Sequence, residues 1–165
     1  MRSKTILAAG IIAILLAGAA AAPSAAAAPD TDACLLVTQA RLSAVLGVSM
    51  AAGAHTTPTY VKTCTWLPSG GGTKSLKFVT LNLEAGDGFE RGKNMMLQMK
   101  PKNTVVTPVS GIGDDAYYIA FGTTITNLMV KKGNISFKLA FYGETAPEKV
   151  MAMEKTLALE IVGKL

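Results

Sequence analysis

The sequence predicts an α+β fold: a mainly antiparallel sheet with three helices packed on one face and a single disulfide. Three observations carry this reading. Helical spacing with recognisable start and stop residues occurs in three separate places, closely spaced strand runs fill the intervals between them, and the chain holds only two cysteines, Cys34 and Cys64. The order helix, strands, helix, strands, helix is best satisfied when the helices cover the apolar face of an antiparallel sheet.

The first segment is set apart by its composition. Met1-Arg2-Ser3-Lys4-Thr5 carries two positive charges and no acid, and an apolar run from Ile6 to Ala17 follows it. That run falls short of the roughly 20 residues a membrane-spanning helix needs. Small residues fill Gly18 to Ala28, and Ala25-Ala26-Ala27 offers the small-x-small pattern of a signal peptidase site. Residues 1–27 therefore read as a secretory signal peptide and 28–165 as a single α+β domain. An earlier cut near Ala22 is the alternative. Cys34 follows Thr31-Asp32-Ala33 and not a lipid-attachment triplet, so neither a lipid anchor nor stable membrane insertion is expected after signal removal. The expected destination is secreted or periplasmic.

Without Arg2 and Lys4 the net charge of +5 falls to about +3, from 14 basic and 11 acidic residues. The lysines are scattered and form no run, which argues against a nucleic-acid surface. In an oxidising compartment Cys34 and Cys64 are expected to pair. Such a bridge stabilises by about 3 to 4 kcal/mol in the chain-entropy model. A metal pair or a reactive thiol is the alternative, weakened because neither a second pair nor a histidine lies close by in sequence.

Along the chain, Ala28 to Ala33 reads as a flexible lead. Thr38 is a candidate N-cap, Leu42, Val45 and Leu46 recur at helical spacing, and Gly47 supplies the stop. Val48 to Thr59 reads as a loop or irregular strand. Tyr60 to Leu67 reads as a strand on which Cys64 and Trp66, two residues apart, point inward together. After a Gly-rich turn, Ser75 to Glu84 is a second strand whose inward parity changes near Phe78-Val79, through a bulge or because both faces are partly covered. Gly86-Asp87-Gly88 is expected to break that strand, and Phe89 to Lys100 to form a helix with Asp87 as candidate cap and Pro101 as its end.

Val105, Val106 and Val109 open the second half, and Gly111-Ile112-Gly113-Asp114-Asp115 turns into a strand from Ala116 to Phe121. Thr123 to Lys131 and Ile135 to Tyr142 flank the hairpin connection Lys132-Gly133-Asn134. In the last strand Ile135, Phe137, Leu139 and Phe141 alternate with polar residues, which predicts one buried and one wet face. Thr145-Ala146-Pro147-Glu148 has the pattern of a capping box, and Val150, Met153, Leu157, Ile161 and Leu165 form the stripe of the final helix.

Candidate chemistry is sparse. His55 is the only histidine, sits in a loop-like stretch and has no nucleophile elbow near it, so it reads as a surface residue. Asp30 and Asp32 fall in the lead, while Asp114 and Asp115 suit turn and cap duties. Gly111-Ile112-Gly113 lacks the third glycine and the Lys-Ser/Thr pair of a phosphate loop, so no cofactor is expected. Methionine is the clearest bias, with Met95, Met96 and Met99 close together. They read as core filling or an adaptable partner-binding face, and thioethers at helical spacing make a Cu(I) site the metal alternative.

At Cys34-Leu35-Leu36-Val37-Thr38, Leu46-Gly47, Cys64-Thr65-Trp66 and Val109-Ser110-Gly111-Ile112-Gly113-Asp114-Asp115-Ala116 the chain resembles small exported bacterial domains of unknown function, best known from actinobacterial lipoproteins. The resemblance implies that the first cysteine pairs with the cysteine of the Cys-x-Trp strand and that the Gly-x-Gly-Asp-x-Ala turn enters the second half of the sheet. It brings no catalytic residue. The functional expectation is an exported, non-catalytic binding or sensor-like module for an unknown protein or small apolar ligand. A secreted hydrolase inhibitor, a Cu(I)-binding protein and an enzyme with an unrecognised site are the alternatives.

Overall fold

The computed structural model describes residues 31–99 and 101–165. The predicted signal peptide and its cleavage position lie outside the described residues. Two short helices lead, α1 (Ala33–Leu36) and α2 (Gln39–Leu46). Strands β1 (Ala54–His55), β2 (Thr63–Trp66) and β3 (Phe78–Ala85) follow, then α3 (Gly86–Met99). The second half holds β4 (Thr104–Val109), β5 (Asp115–Phe121), β6 (Ile125–Lys132), β7 (Ile135–Tyr142) and the long α4 (Pro147–Val162). The strands form one seven-stranded antiparallel sheet in the order β1-β2-β3-β7-β6-β5-β4. The last strand in sequence thus sits in the middle, paired with β3 along one edge and β6 along the other.

The expected disulfide is present. Cys34 and Cys64 are bonded with their Cα atoms 5.0 Å apart, joining α1 to β2. Cys64 and Trp66 share the inward face of β2, and both are buried. Thr38 caps α2 through a hydrogen bond that its Oγ1 accepts from the Arg41 amide, and Gly47 ends the helix in the left-handed region.

Other expectations need correcting. There are four helices among the described residues, not three, and they do not share one face. α1, α2 and α4 belong with the side carrying Cys64, Leu81, Leu128, Leu139 and Tyr118. α3 lies on the opposite side, where Phe89 and Met96 meet Tyr117, Ile119 and Met129. The physical reason is the composition of β5 and β6, which are apolar on both parities: Ala116 and Tyr118 alternate with Tyr117 and Ile119, and Leu128 and Val130 alternate with Met129. A strand of that kind has to be covered twice. The face of β7 expected to be wet is accordingly half covered. Ser136 and Ala140 are buried, and Ser136 Oγ donates to the carbonyl of Ala85.

The strand before α3 has no break and no bulge. β3 pairs continuously with β7 from Phe78 to Ala85, and Val79, Leu81 and Leu83 point inward. The apparent change of parity arose because Leu76 is buried from the loop ahead of the strand. Gly86 and Gly88 belong to the helix itself. A Cβ on Gly86 would lie 3.1 Å from the Asn134 backbone, so glycine lets the strand turn directly into α3 against the β6–β7 hairpin. The Thr145–Glu148 capping box does not form either. Ala146 is the N-cap without a side-chain hydrogen bond, Pro147 occupies the first turn, and Thr145 Oγ1 donates instead to the Ser75 carbonyl at 2.7 Å.

Two glycines of the turns permit a direct comparison. Gly113 has φ +59°, and a Cβ there would lie 2.3 Å from the Lys131 carbonyl oxygen; Gly133 has φ +57° and open space around it. Gly133→Ala is expected to cost about 1 kcal/mol for the left-handed conformation alone, and Gly113→Ala at least about 2 kcal/mol because the ladder must also shift. Urea denaturation of the two variants checks this, and equal losses would remove the steric explanation.

Candidate functional site

Three places bring functional side chains together. The first is a cleft on the side of the sheet that carries α4. β6 and β7 place Thr126 and Phe141 directly opposite each other, and these buried residues line the cleft together with Leu76 and Val150. Leu46 and Val48, at the end of α2, and Met153, on α4, complete an apolar lining of about 110 Å³. Ser75, Thr145 and Lys149 supply polar atoms. Lys149 is exposed and makes no ion pair among the described residues. The neighbouring Glu144 is held by Lys74 at 2.9 Å.

The second place is the disulfide corner. β1 pairs His55 opposite Cys64, and His55 Nε2 lies 2.8 Å from Asp32 Oδ1. Asp32 also caps α1 by accepting the Cys34 amide at 2.8 Å. The hydrogen bond from His55, reinforced by the Cys34 amide, holds the Asp32 carboxyl below the usual carboxylate range. The ligand atoms of Asp32, Cys34 and His55 all lie within 4.8 Å of one another. Sequence reading missed this grouping, because it placed Asp32 in a flexible lead and His55 on a loop surface. The legible signal was the Asp-x-Cys spacing, which is that of an Asx cap.

The third is α3. Met95 and Met99 are 52% and 67% exposed, whereas Met96 packs against the Tyr117 and Ile119 side of the sheet. The three thioethers therefore do not share one face. Beneath the helix, the Phe89 and Tyr117 rings meet edge to face at 5.1 Å, and Lys93 reaches Asp115 at 2.6 Å with its ammonium 5.7 Å from both ring centres. Burial pushes the Tyr117 phenol up to about 12. Asp114 serves the turn, accepting the Gly133 amide at 2.6 Å, and that bond holds its carboxyl below the usual carboxylate range. Gly111 and Gly113 adopt positive φ in a turn between strands, as the sequence predicts.

One buried group belongs to none of these. Glu154, on the inner side of α4, is fully buried, and neither carboxyl oxygen has a hydrogen-bond partner among the described residues. Desolvation pushes it up to about 9. The neighbouring Tyr118 phenol is also raised, first by its own burial and then by the nearby Glu154, and its hydroxyl donates to the Met151 carbonyl.

No family model matches this chain, and neither the curated proteins nor the solved structures contain a match. No described helix is long and apolar enough to cross a membrane.

Glu154 fixes a pH dependence with a definite sign. Below an ordinary glutamate value of 4.5, folded and unfolded chains both carry the proton. Between 4.5 and about 9 only the folded chain keeps it, so this residue's ionisation in the unfolded state removes stability as pH rises. Glu154→Gln is expected to abolish that slope and to exceed the parent in stability by a few kcal/mol at pH 8. Urea midpoints at pH 5 and pH 8 measure it: the advantage of the variant should grow with pH, and a constant difference would mean that Glu154 is ionised in the fold.

Proposed function

We propose that this chain is an exported, non-catalytic binding module whose cleft between α2, the loop before β3, the sheet and α4 takes the apolar end of a small ligand bearing a negative charge. The observation that carries the reading is a buried apolar lining beside a lysine, Lys149, with no ion-pair partner among the described residues. Phe141, Val150, Leu76 and Met153 offer dispersion contacts, Thr126, Ser75 and Thr145 add hydroxyls, and Lys149 offers one charge. A cavity on the order of 150 Å³ accepts a benzene molecule. A cleft of about 110 Å³ therefore holds a short alkyl chain or a single small ring, leaving the charged end of the ligand outside.

Export is part of the proposal. It is supported by the basic start and apolar run of residues 1–17 and by a disulfide of the sort that persists in oxidising compartments. The resemblance to small exported bacterial domains of unknown function belongs here too. It rests on the cysteine pair, the Cys-x-Trp strand and the Gly-x-Gly-Asp-x-Ala turn, which have structural duties in this fold.

Hexanoate and the fluorescent anion 8-anilinonaphthalene-1-sulfonate are suitable probes. The sulfonate should bind saturably to the folded protein and be displaced by hexanoate but not by hexanamide. Met153→Trp, which fills the cleft, should weaken binding at least tenfold, and Lys149→Glu severalfold. Affinity for the sulfonate unchanged in both variants would refute the cleft as the ligand site.

A further inference from the structure

The disulfide corner has a composition that its bonded state does not use. Asp32, Cys34 and His55 gather a carboxylate, a sulfur and an imidazole within 4.8 Å of one another, and Cys64 adds a second sulfur through its bond to Cys34. That is a complete donor set for tetrahedral zinc. In the disulfide the sulfurs are poor donors. As thiolates they are among the strongest zinc ligands a protein has.

We infer that the corner is a redox-gated zinc site: closed as the Cys34–Cys64 disulfide, and able to bind one Zn²⁺ through Cys34, Cys64, His55 and Asp32 once that bond is reduced. Tetrahedral zinc at about 2.0 to 2.3 Å from its ligands sets neighbouring donor atoms about 3.3 to 3.8 Å apart. Asp32, Cys34 and His55 already lie within 4.8 Å of one another, so adjustments on the order of 1 Å, well within side-chain reach, bring these three donors to zinc, and Cys64 is the fourth. The sulfurs must then part, and because Cys64 is fully buried against the Gly53 loop, that movement falls to the half-buried Cys34 side chain.

Access is one-sided. A Cβ on Gly53 would sit 2.6 Å from both Cys64 Sγ and Trp66 Nε1, so the backbone of that loop seals the inner sulfur. Asp32 and His55 side chains retain 25% and 24% of their exposure, and Cys34 is half-buried, leaving this side as the entry for reductant and metal. The His55–Asp32 hydrogen bond holds both groups at the sulfur before any metal arrives, which lowers the ordering cost of the site.

The chemistry balances with a dithiol as reductant. It passes two electrons and two protons to the disulfide and becomes a disulfide itself, leaving Cys34 and Cys64 as thiols. Zinc then displaces the two thiol protons to solvent and coordinates both thiolates, the neutral imidazole and the carboxylate. Reoxidation by a disulfide reverses both steps and releases the metal. Nothing in this scheme depends on the cleft.

The test uses the chain lacking residues 1–27, reduced with a phosphine and titrated with Co²⁺ as a spectroscopic stand-in for Zn²⁺. One equivalent should produce thiolate-to-cobalt charge transfer and the visible bands of a tetrahedral ion, both erased by one equivalent of Zn²⁺. The oxidised protein should produce neither. His55→Ala and Asp32→Ala should each weaken Co²⁺ at least tenfold, and His55→Cys should restore tight binding. If the reduced chain loses its fold, Zn²⁺ should bring back the near-ultraviolet dichroism of Trp66 in the parent but not in His55→Ala. Absence of the charge-transfer band in a folded reduced chain would overturn the proposal. So would equal affinity in the alanine variants, which would mean capture by the thiols alone, or failure of zinc to recover an unfolded reduced chain.

Discussion

The middle of the sheet sets the terms for everything else. β5, β6 and β7 run side by side with tyrosine, isoleucine, leucine, methionine and phenylalanine distributed over both faces, and such a surface cannot be left in water on either side. α4 covers one face through Val150, Leu157, Ala158 and Ile161. α3 covers part of the other through Phe89 and Met96. Because β7 is central, its neighbours β3 and β6 are both long, and the shorter β2 and β1 are added beyond β3. The edge at β4 carries Pro108, which lacks an amide proton for further pairing and so discourages another strand from joining there.

With the sheet fixed, both candidate regions appear where a helix ends before its cover is complete. The cleft opens where α2 stops at Gly47, leaving Leu46 and Val48 facing Met153 across the ends of β6 and β7. The disulfide corner forms where the sheet narrows to the two-residue β1, too short to bury itself without the bridge from α1. Covalent linkage there substitutes for the apolar area that a longer strand would have supplied.

How much of this was legible follows the range of the interactions. Thr38, Gly47 and the Lys132-Gly133-Asn134 hairpin act within a few residues, and the sequence places them correctly. α3 was read as a helix, but its side of the sheet depends on Tyr117, Ile119 and Met129, which come later in the chain. Thr145 looks like a cap locally and serves Ser75, 70 residues away, in the fold. His55 and Asp32 are 23 residues apart and meet only because β1 pairs with β2. Glu154 was the one visible warning: it sits four residues after Val150 and three before Leu157, on the apolar stripe, where a charged residue is out of place.

The two regions share the leading helices, so it matters whether the state of one dictates the other. α1 hangs from the disulfide, and only Val37 and Thr38 separate it from α2. α2 has anchors of its own, however. Leu42 is buried in the core, Arg41 pairs with Glu160 of α4, Gln39 donates to the Met50 carbonyl, and the Ser43 hydroxyl accepts the Met50 amide. α1 is also held from the far side, where Lys164 donates to the Leu36 carbonyl at 2.6 Å. Opening the disulfide therefore frees the Cys34 side chain without releasing the helix that carries Leu46. The geometry favours two independent sites on one scaffold, with the corner able to change state while the cleft keeps its shape.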